Sequence, residues 1–387
     1  MAGPAPLVQL SELLSLPALG VSAGALSFNT VTMESDRHIA VRDTAGGQPQ
    51  LIVLDPKDPS AAIRKPISAD AAAMNPASQV VALRAGPQLQ LFDFATKQKV
   101  KSFVMPEPVV FWHWVSDSTL GLVTATAVYH WTVSDAADPV KLFDRHASLA
   151  NSQIIAYRAD AALEWLCVVG IAPGSDQGTV NGAMQLYSVN KKMSQAIEGH
   201  AAAFAQLKLD GHDTTLFCFA SKSAAAGASK FHVIEVGADR KPEGAPRFEK
   251  QQTDIYYPPE MPNDFPVSLQ VSSKYSLAYL ITRQGYFHVY DIESGTTLYM
   301  NRVSDTTVFV TAPRQDTGGL LGINRKGQVL AMDIQTQAVI PYVMSKLKDV
   351  ELATRIASRN GFPGAEGLFS EQFRELFQGG QYREAAL

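Results

Sequence analysis

Cysteine is scarce in this 387-residue sequence, which contains only Cys167 and Cys218. Two cysteines are too few for a disulfide framework, and neither stands in a CxxC or Cys/His spacing of the kind that binds zinc. The eight histidines are scattered, without an HExxH motif. We therefore expect no metal site, no cofactor and a reducing compartment.

Charge of one sign is also missing. The 33 lysines and arginines are balanced by 37 aspartates and glutamates, which gives a net charge of -4 at pH 7. This balance excludes a global basic field that could hold nucleic acid or an anionic membrane, so any basic site must be local. We expect no nucleic-acid partner.

Long apolar runs and targeting signals are absent as well. No stretch reaches the roughly 18 apolar residues of a membrane span, and no basic residue precedes the first apolar residues as in a secretory signal. No asparagine has serine or threonine two places on, so there is no N-glycosylation acceptor. We expect a cytoplasmic chain without direct membrane insertion.

What the sequence does contain is a repeat. A short block rich in Val, Ile, Tyr, Phe and Thr recurs seven times, about every 46 residues on average between Asp55 and Asp333. The copies are Leu51–Asp55, Gln90–Asp93, Val128–Thr132, Gln185–Ser188, Phe231–Glu235, Phe287–Asp291 and Val329–Asp333. These compositions, bounded by turn residues, are typical of β-strands.

The repeat length favours one fold class. Four short antiparallel strands occupy roughly 40 to 45 residues in a propeller blade, and radial stacking buries both faces of each sheet. A chain of separate β-sandwiches would need about 100 residues per unit. We therefore predict an all-β seven-bladed β-propeller over residues 1–340.

The periodicity becomes helical after about Pro341. Apolar residues then recur at helical intervals; they are Val343, Leu347, Val350, Ala353, Ala357, Ala365, Phe369, Phe373 and Phe377. Gly379 and Gly380 are expected to end the second helix, and a third is expected from Tyr382. Residues 341–387 are thus predicted as a short α-helical segment, the start of an α-solenoid.

Two features suggest chemistry, and neither is strong. Residues 20–24 match G-x-S-x-G, the nucleophile elbow of serine hydrolases, but that motif needs a buried strand before it and a helix after it. Here Pro17 precedes it and a β-type run over 26–32 follows, which favours a turn. His113, between two tryptophans, is interpreted as a hydrogen-bonded residue in an aromatic blade core. A propeller enzyme of hydrolase type with an axial active site remains the alternative function.

Several long, irregular strings resemble the amino-terminal part of clathrin heavy chain. They are Thr32–Asp36, Lys65–Asp70, Met74–Ser78, Phe143–His146, Gly182–Ser188, Glu198–Ala201, Asn263–Pro266 and Lys326–Leu330. The resemblance covers nearly the whole chain. It implies a seven-bladed propeller terminal domain followed by the helical linker that begins the leg, in agreement with the repeat and the late helices.

The resemblance also implies a function without catalysis. In that family the propeller binds short linear peptides of adaptor and accessory proteins, during clathrin-mediated endocytosis and intracellular vesicle trafficking. Other heavy chains and light chains are the partners of the full-length protein, which acts at the cytoplasmic face of coated pits and coated vesicles. Because the family's trimer contacts lie in helical repeats beyond this sequence, we expect the chain itself to be monomeric.

Three peptide-binding regions follow from the resemblance. The first, a groove between the first two blades, takes clathrin-box peptides of leucine, bulky apolar and acidic residues. Its counterparts here are Ile63, Lys65, Val81, Gln88, Gln90, Phe92, Lys97 and Lys99. Without the resemblance, these residues would be interpreted as ordinary blade packing and a solvated hairpin. The family commonly has arginine at 65 and threonine at 88, so the geometry of carboxylate binding differs.

The other two regions are a top-centre site and a groove between the fourth and fifth blades. The top-centre site, which takes tryptophan-bearing peptides in the family, corresponds to Phe28, Gln153, Ile155 and Ile171. The blade 4–5 groove corresponds to Trp165, Leu186, Lys191, Met193 and Gln195. Apolar residues near a propeller axis are more often a plug than a pocket. The family often has arginine at 191 and valine at 193, which implies a different specificity.

Overall fold

The structure of the chain, a computed structural model, describes residues 6–209, 211–223, 228–237, 246–378 and 382. Over these ranges, 28 strands form seven four-stranded antiparallel sheets. The seven sheets are the blades of a propeller, numbered here in chain order. The predicted fold class is confirmed.

The strands have the following bounds. Blade 1 contains β2 (Val31–Ser35), β3 (His38–Asp43), β4 (Gln50–Asp55) and β5 (Asp58–Pro66); blade 2 contains β6 (Ala71–Met74), β7 (Val80–Ala85), β8 (Gln88–Asp93) and β9 (Gln98–Val104). Blade 3 contains β10 (Val109–Trp114), β11 (Thr119–Thr124), β12 (Ala127–Thr132) and β13 (Val140–Asp144). Blade 4 contains β14 (Gln153–Ala159), β15 (Trp165–Pro173), β16 (Val180–Ser188) and β17 (Met193–Glu198).

The remaining blades complete the ring. Blade 5 contains β18 (Ala201–Leu209), β19 (His212–Lys222), β20 (Ser229–Glu235) and β21 (Gln251–Asp254), and blade 6 contains β22 (Pro266–Ser272), β23 (Leu277–Thr282), β24 (Tyr286–Asp291) and β25 (Thr297–Arg302). Blade 7 contains β26 (Val308–Pro313), β27 (Leu320–Asn324), β28 (Gln328–Ile334) and, as its outermost strand, β1 (Val8–Ser15). Short 3₁₀ helices span Pro17–Leu19, Ala23–Ala25 and Ala147–Leu149.

The seven sequence blocks all fall on the same strand of their blade. They are the third strands β4, β8, β12, β16, β20, β24 and β28. A third strand has neighbours on both edges and adjacent blades on both faces, so it is apolar along much of its length. In β4, four consecutive residues, 51–54, are buried. This burial explains why the repeat is visible in the sequence at this strand.

Blade 7 is closed by the beginning of the chain. β1 pairs antiparallel with β28, from Val8 opposite Ile334 to Ser15 opposite Gln328. The Leu16 amide then donates to the Gly327 carbonyl at 2.8 Å. One sheet is thus built from both ends of the propeller sequence, which joins the last blade to the first.

Apolar side chains fill all seven junctions between adjacent blades. Each of the seven buried hydrophobic clusters contains residues from two neighbouring blades. At the blade 5–6 junction, for example, the rings of Phe231 and Tyr290 stack with centroids 4.3 Å apart. At the blade 3–4 junction, a Cβ on Gly121 would lie 2.4 Å from the ring of Tyr157, so glycine is needed for that ring to pack.

The helical segment begins earlier than predicted. Helix α1 spans Thr336–Tyr342, a π-helical turn spans Val343–Leu347, α2 spans Val350–Asn360 and α3 spans Glu366–Gln378. The secondary structure therefore changes at Thr336, before the predicted division at 340/341, and Pro341 lies inside α1. Pro341 is tolerated because its neighbours Val339 and Ile340 are buried in the cluster between blades 6 and 7.

The predicted continuous periodicity from Val343 to Ala357 is interrupted. Lys348 adopts a left-handed conformation with φ 57°, and the side chain of Asp349 then caps α2 by accepting a hydrogen bond from the Leu352 amide at 2.9 Å. Helix α2 packs on the propeller, where Arg359 pairs with Asp291 and Glu293. The predicted stop at residues 379–380 and the third helix after Tyr382 lie outside the described residues. In the described ranges, no helix has both the length and the hydropathy of a membrane span.

Closure of the ring makes a testable prediction. Leu16 is fully buried where β1 ends, whereas Leu10 on the same strand is 45% exposed. Leu16→Ala removes buried methyl groups and leaves a cavity, so it should lower the free energy of unfolding by about 2–5 kcal/mol. Leu10→Ala, the matched control, should change it by about 0.5 kcal/mol or less. Urea titration measures both; equal effects would contradict this role for the amino-terminal segment.

Buried histidines predict a pH dependence of stability. His288 is 1% exposed, and burial lowers its pKa to about 4 from an unfolded value near 6.5. Between these values the unfolded chain binds a proton that the folded chain does not, so stability falls as the pH drops from about 6.5 to 4. His288→Gln should remove about 3 kcal/mol of that loss.

Wild type and His288→Gln are compared by the slope of unfolding free energy against pH. The absolute free energies are not compared, because the substitution also changes packing, and that effect is the same at every pH. His212→Gln, at an exposed position, is the control and should keep the wild-type slope. Urea titrations at several pH values between 4 and 7 give the slopes. A wild-type slope in His288→Gln would show that this histidine is charged in the folded state.

Candidate functional site

A groove lies between the outer strand of blade 1 and the face of blade 2. Its volume is about 940 Å³. It is lined by residues of β4, β5, β7 and β8 and of the adjoining turns: Leu51, Ala62, Ile63, Arg64, Lys65, Pro66, Ile67, Ser68, Ala69, Gln79, Leu83, Ala85, Gln88, Gln90, Phe92, Phe94 and Lys97. We call this the blade 1–2 groove. β5 pairs only with β4, so its other edge carries unpaired backbone groups.

Six of the eight residues predicted for this groove line it, and two do not. Those that do are Ile63, Lys65, Gln88, Gln90, Phe92 and Lys97. Val81 is fully buried and packs beneath the groove, opposite Phe92 in the β7–β8 ladder. Lys99 is exposed on β9, the strand on the other edge of β8, where it stands opposite Phe92 in the β8–β9 ladder. It is not among the residues that line the groove.

The groove floor is apolar and includes residues that the sequence analysis missed. Phe94 packs edge-on against Phe92, with ring centroids 5.7 Å apart. Gln88, Gln90, Phe92 and Phe94 alternate along the chain and therefore share one side of it. This period of two could have identified Phe94. Leu51 and Leu83 come from other strands, and no local pattern connects them to the groove.

The rim of the groove is positively charged. Arg64, Lys65 and Lys97 line it, and no carboxylate is among the lining residues. Lys97 is held at the β8–β9 turn with φ 58°. Arg64 donates through Nη2 to the Leu19 carbonyl, which anchors its side chain. The groove can therefore accept an extended segment that carries both apolar and acidic side chains.

A second cavity, of about 600 Å³, lies on the propeller axis. All four residues predicted for the top-centre site line it: Phe28, Gln153, Ile155 and Ile171. Gln153 and Ile171 face each other across the β14–β15 ladder. Phe28 stacks with Phe111 of blade 3, with ring centroids 6.2 Å apart and planes inclined by 19°. The predicted residues thus surround an open space, which we call the axial cavity.

The interpretation of His113 is wrong in one respect. Trp112 and Trp114 do pack in the blade 2–3 core, but His113 lines the axial cavity. Adjacent residues of a strand point to opposite faces, so two tryptophans in the core direct the histidine between them elsewhere. His113 is hydrogen-bonded, as predicted: its Nδ1 lies 2.6 Å from Glu34 Oε2 and its Nε2 lies 3.3 Å from Arg158 Nη1.

The residues expected for the third site lie on three successive strands of blade 4. Trp165 begins β15, Leu186 lies in β16, and Met193 and Gln195 lie in β17, with Lys191 in the turn before it. Leu186 faces Gln195 across the ladder and is buried at the blade 4–5 junction, beside the partly buried Trp165. Met193 is 65% exposed. The proposed groove would thus have a buried base and an exposed methionine.

The serine of the G-x-S-x-G match lies in a turn. Gly20, with φ 78°, ends one 3₁₀ helix, and another spans Ala23–Ala25. Ser22 donates through its hydroxyl and its amide to the two carboxylate oxygens of Asp43, at 2.7 and 2.8 Å. The β-run expected over 26–32 begins only at Val31. Ser22 therefore anchors a loop and is not on a nucleophile elbow.

Thiol and metal chemistry find no support in the described residues. No group of three or more His, Cys, Asp or Glu side chains in that part of the chain could hold a metal ion. Both cysteines are buried, and burial raises the pKa of Cys218 to about 12 and that of Cys167 further. Neither thiol is a thiolate near neutral pH.

The Glu34–His113–Arg158 contacts predict a histidine tautomer. Arginine can only donate, so His113 Nε2 must accept from Arg158, and Nδ1–H must donate to Glu34. Nitrogen-15 NMR of histidine-labelled protein at pH 7.5 should show His113 as the Nδ1–H tautomer, with resonances assigned by His113→Gln. The Nε2–H tautomer would contradict this arrangement. Glu34→Ala should keep this tautomer, because Arg158 still donates to Nε2.

Taken together, these features define the class: a seven-bladed β-propeller with an open inter-blade groove, an axial cavity and helices packed on its last blades. A chain from "Crystal Structure of Mitotic Checkpoint Complex" is similar to it with a TM-score of 0.57. That match covers 84% of this chain and 91% of that one at 11% identity, which shows likeness of fold alone.

Sequence comparison identifies the family. Residues 337–359 match the family model described as "Clathrin, heavy-chain linker". Clathrin heavy chain of Drosophila melanogaster is 50% identical over 388 residues, which cover 100% of this chain and 23% of that protein. Clathrin heavy chain 2 of Homo sapiens is 48% identical over 381 residues, 98% of this chain and 23% of that protein.

A plant relative agrees. Clathrin heavy chain 1 of Arabidopsis thaliana is 45% identical over 397 residues, which cover 100% of this chain and 23% of that protein. The chain belongs to the clathrin heavy chain family and corresponds to its amino-terminal domain and the start of the linker. It spans about a quarter of the length of these curated relatives.

Proposed function

We propose that this chain is a non-enzymatic interaction module of a clathrin coat, which binds short linear peptides of adaptor and accessory proteins in its propeller grooves. It would act at the cytoplasmic face of coated pits and coated vesicles, in endocytosis and intracellular vesicle trafficking. Other heavy chains and light chains would be partners of the full-length protein. The observation that carries the proposal is the blade 1–2 groove, which combines an apolar floor, a cationic rim and an unpaired strand edge.

The chemistry of the groove suits a clathrin-box peptide. An extended peptide can add main-chain hydrogen bonds along an open strand edge while its alternate side chains enter pockets. Leucine and other bulky apolar residues would pack against Phe92 and Phe94, and acidic residues would lie near Lys97. Apolar contacts would supply most of the affinity, and the cations would select acidic ligands and speed their capture.

Two further surfaces would extend this capacity. The axial cavity would take tryptophan-bearing peptides, whose rings would pack against Phe28, Ile155 and Ile171. The side-chain amide of Gln153, which also lines the cavity, would be available to hydrogen-bond such a peptide. The blade 4–5 surface would offer the exposed Met193, a flexible apolar side chain that adapts to varied partners. Several weak sites on one propeller raise avidity when one partner carries several motifs.

The blade 1–2 groove can be tested by two kinds of substitution. Phe92→Ala removes a large apolar contact, so it should weaken binding of a clathrin-box peptide by on the order of 2 kcal/mol at every salt concentration. Lys97→Ala should weaken it mainly at low ionic strength, because salt screens an exposed charge. Titration calorimetry at two salt concentrations separates these effects.

Lys99→Ala is the matched control, since Lys99 has the same charge on the same hairpin but lies outside the groove lining. It should weaken the peptide less than Lys97→Ala does. Thermal melting must show that each variant is folded, because Phe92 also packs in the blade 1–2 core. Unchanged affinity in folded Phe92→Ala and Lys97→Ala would reject this groove as the binding site.

A further inference from the structure

Arginine occupies equivalent positions in four blades. Arg42, Arg84, Arg283 and Arg325 each stand at or just after the end of the second strand of blades 1, 2, 6 and 7. Each is opposite a residue at or just before the start of the first strand: Arg84 pairs with Ala71, and the amides of the others donate to Thr30, Phe265 and Thr307. Because the ring is closed, these four blades are consecutive, in the order 6, 7, 1, 2.

Two of these arginines hold neighbouring blades together. Arg42 donates through Nε to the Ala69 carbonyl at 2.8 Å, in the connection to blade 2. Arg84 donates through Nη1 to the Val109 carbonyl of blade 3 and lies over the ring of Trp112. Their guanidinium groups are therefore occupied by contacts between blades.

Arg283 and Arg325 have no such role. Both are exposed, both line the axial cavity, and among the described residues neither guanidinium makes a hydrogen bond or an ion pair. The Arg283 guanidinium lies over the face of Phe265, 5.8 Å from the ring centroid. We call Arg283 and Arg325 the axial basic rim.

The cavity lining holds more cationic than anionic side chains, and among the described residues neither of its two carboxylates forms an ion pair with the rim. Two carboxylates, Glu34 and Asp70, line the cavity. Four arginines line it as well: Arg84, Arg158, Arg283 and Arg325. Glu34 is bonded to His113 and to the Trp114 amide, and Asp70 accepts from the Gly86 amide at 2.8 Å. A local excess of positive charge thus stands at the axis of a chain whose net charge is -4.

Apolar residues of the cavity lie on both sides of the axis. In a ring of seven, blades 2, 3 and 4 stand opposite blades 6 and 7, and blades 3 and 4 contribute Phe111, Ile155 and Ile171. Blades 6 and 7 contribute the rim together with apolar residues such as Phe309. One occupant of the cavity can therefore meet apolar side chains and the cationic rim at the same time.

We propose that the axial cavity selects acidic peptides: Arg283 and Arg325 bind carboxylates that flank the aromatic residue of a peptide whose ring packs against Phe28, Ile155 and Ile171. This inference rests on the proposed function of the top-centre site and adds its charge specificity. Guanidinium groups suit the task because they present paired donors to a carboxylate.

The test uses two synthetic nine-residue peptides, each with one central tryptophan, flanked by two aspartates in one and by two asparagines in the other. The chain should bind the acidic peptide roughly tenfold more tightly at low salt, and the preference should shrink as salt is raised. R283Q/R325Q should lose that preference and still bind the asparagine peptide with wild-type affinity. K326Q is the matched control, because Lys326 is adjacent and exposed but pairs with Asp305; it should keep the preference.

Each outcome separates the two claims. If both peptides bind wild type equally and Phe28→Ala weakens both, the top-centre site stands and the acidic specificity is wrong. If neither peptide binds, the peptide-binding function of the axial cavity fails and this inference fails with it. A preference that persists in folded R283Q/R325Q, checked by thermal melting, would also overturn the inference.

Discussion

The pairing of β1 with β28 is the constraint on which the rest of the structure depends. Six blades are formed from consecutive strands, and the seventh needs a strand from the start of the chain. Once that strand is in place the ring has no free blade face, and every blade packs between two others. The arrangement is non-local, since Val8 is hydrogen-bonded in register with Ile334. The geometry of the axial cavity follows from it, because all seven blades line that cavity or support its walls.

The contacts that hold blades together also build the proposed binding surfaces. In the blade 1–2 groove, Ile63 and Phe92 belong to the hydrophobic cluster of that junction while their remaining surface lines the groove. Val81, opposite Phe92 in the β7–β8 ladder, packs beside it in the same cluster. A peptide would thus meet a floor that is already fixed by packing, which keeps the entropic cost of binding on the protein side low. Under the proposed function, the cations at the rim would supply the specificity for acidic peptides.

Much of the fold could be predicted from the sequence, because third strands such as Leu51–Asp55 are buried on both faces and recur at blade spacing. The helical onset could not, because Pro341 favours a change of structure at that residue, whereas packing of Val339 and Ile340 between blades 6 and 7 overrides this local signal and the helix begins at Thr336. For the candidate site, the family resemblance predicts which residues belong to the groove. Only the structure separates Val81, which is buried in its base, from Phe92, which lines it. The position of His113 could have been predicted from the sequence. Because Trp112 and Trp114 flank it on one strand and pack in the core, the histidine between them must point to the opposite face.

The central claim is that peptides bind where an open strand edge of one blade meets the apolar face of the next. A crystal structure of this chain soaked with a clathrin-box peptide tests it most directly. The account predicts an extended peptide in the blade 1–2 groove, with apolar side chains against Phe92 and an acidic side chain within ion-pair distance of Arg64, Lys65 or Lys97. Peptide density confined to another surface, with this groove empty, would contradict it.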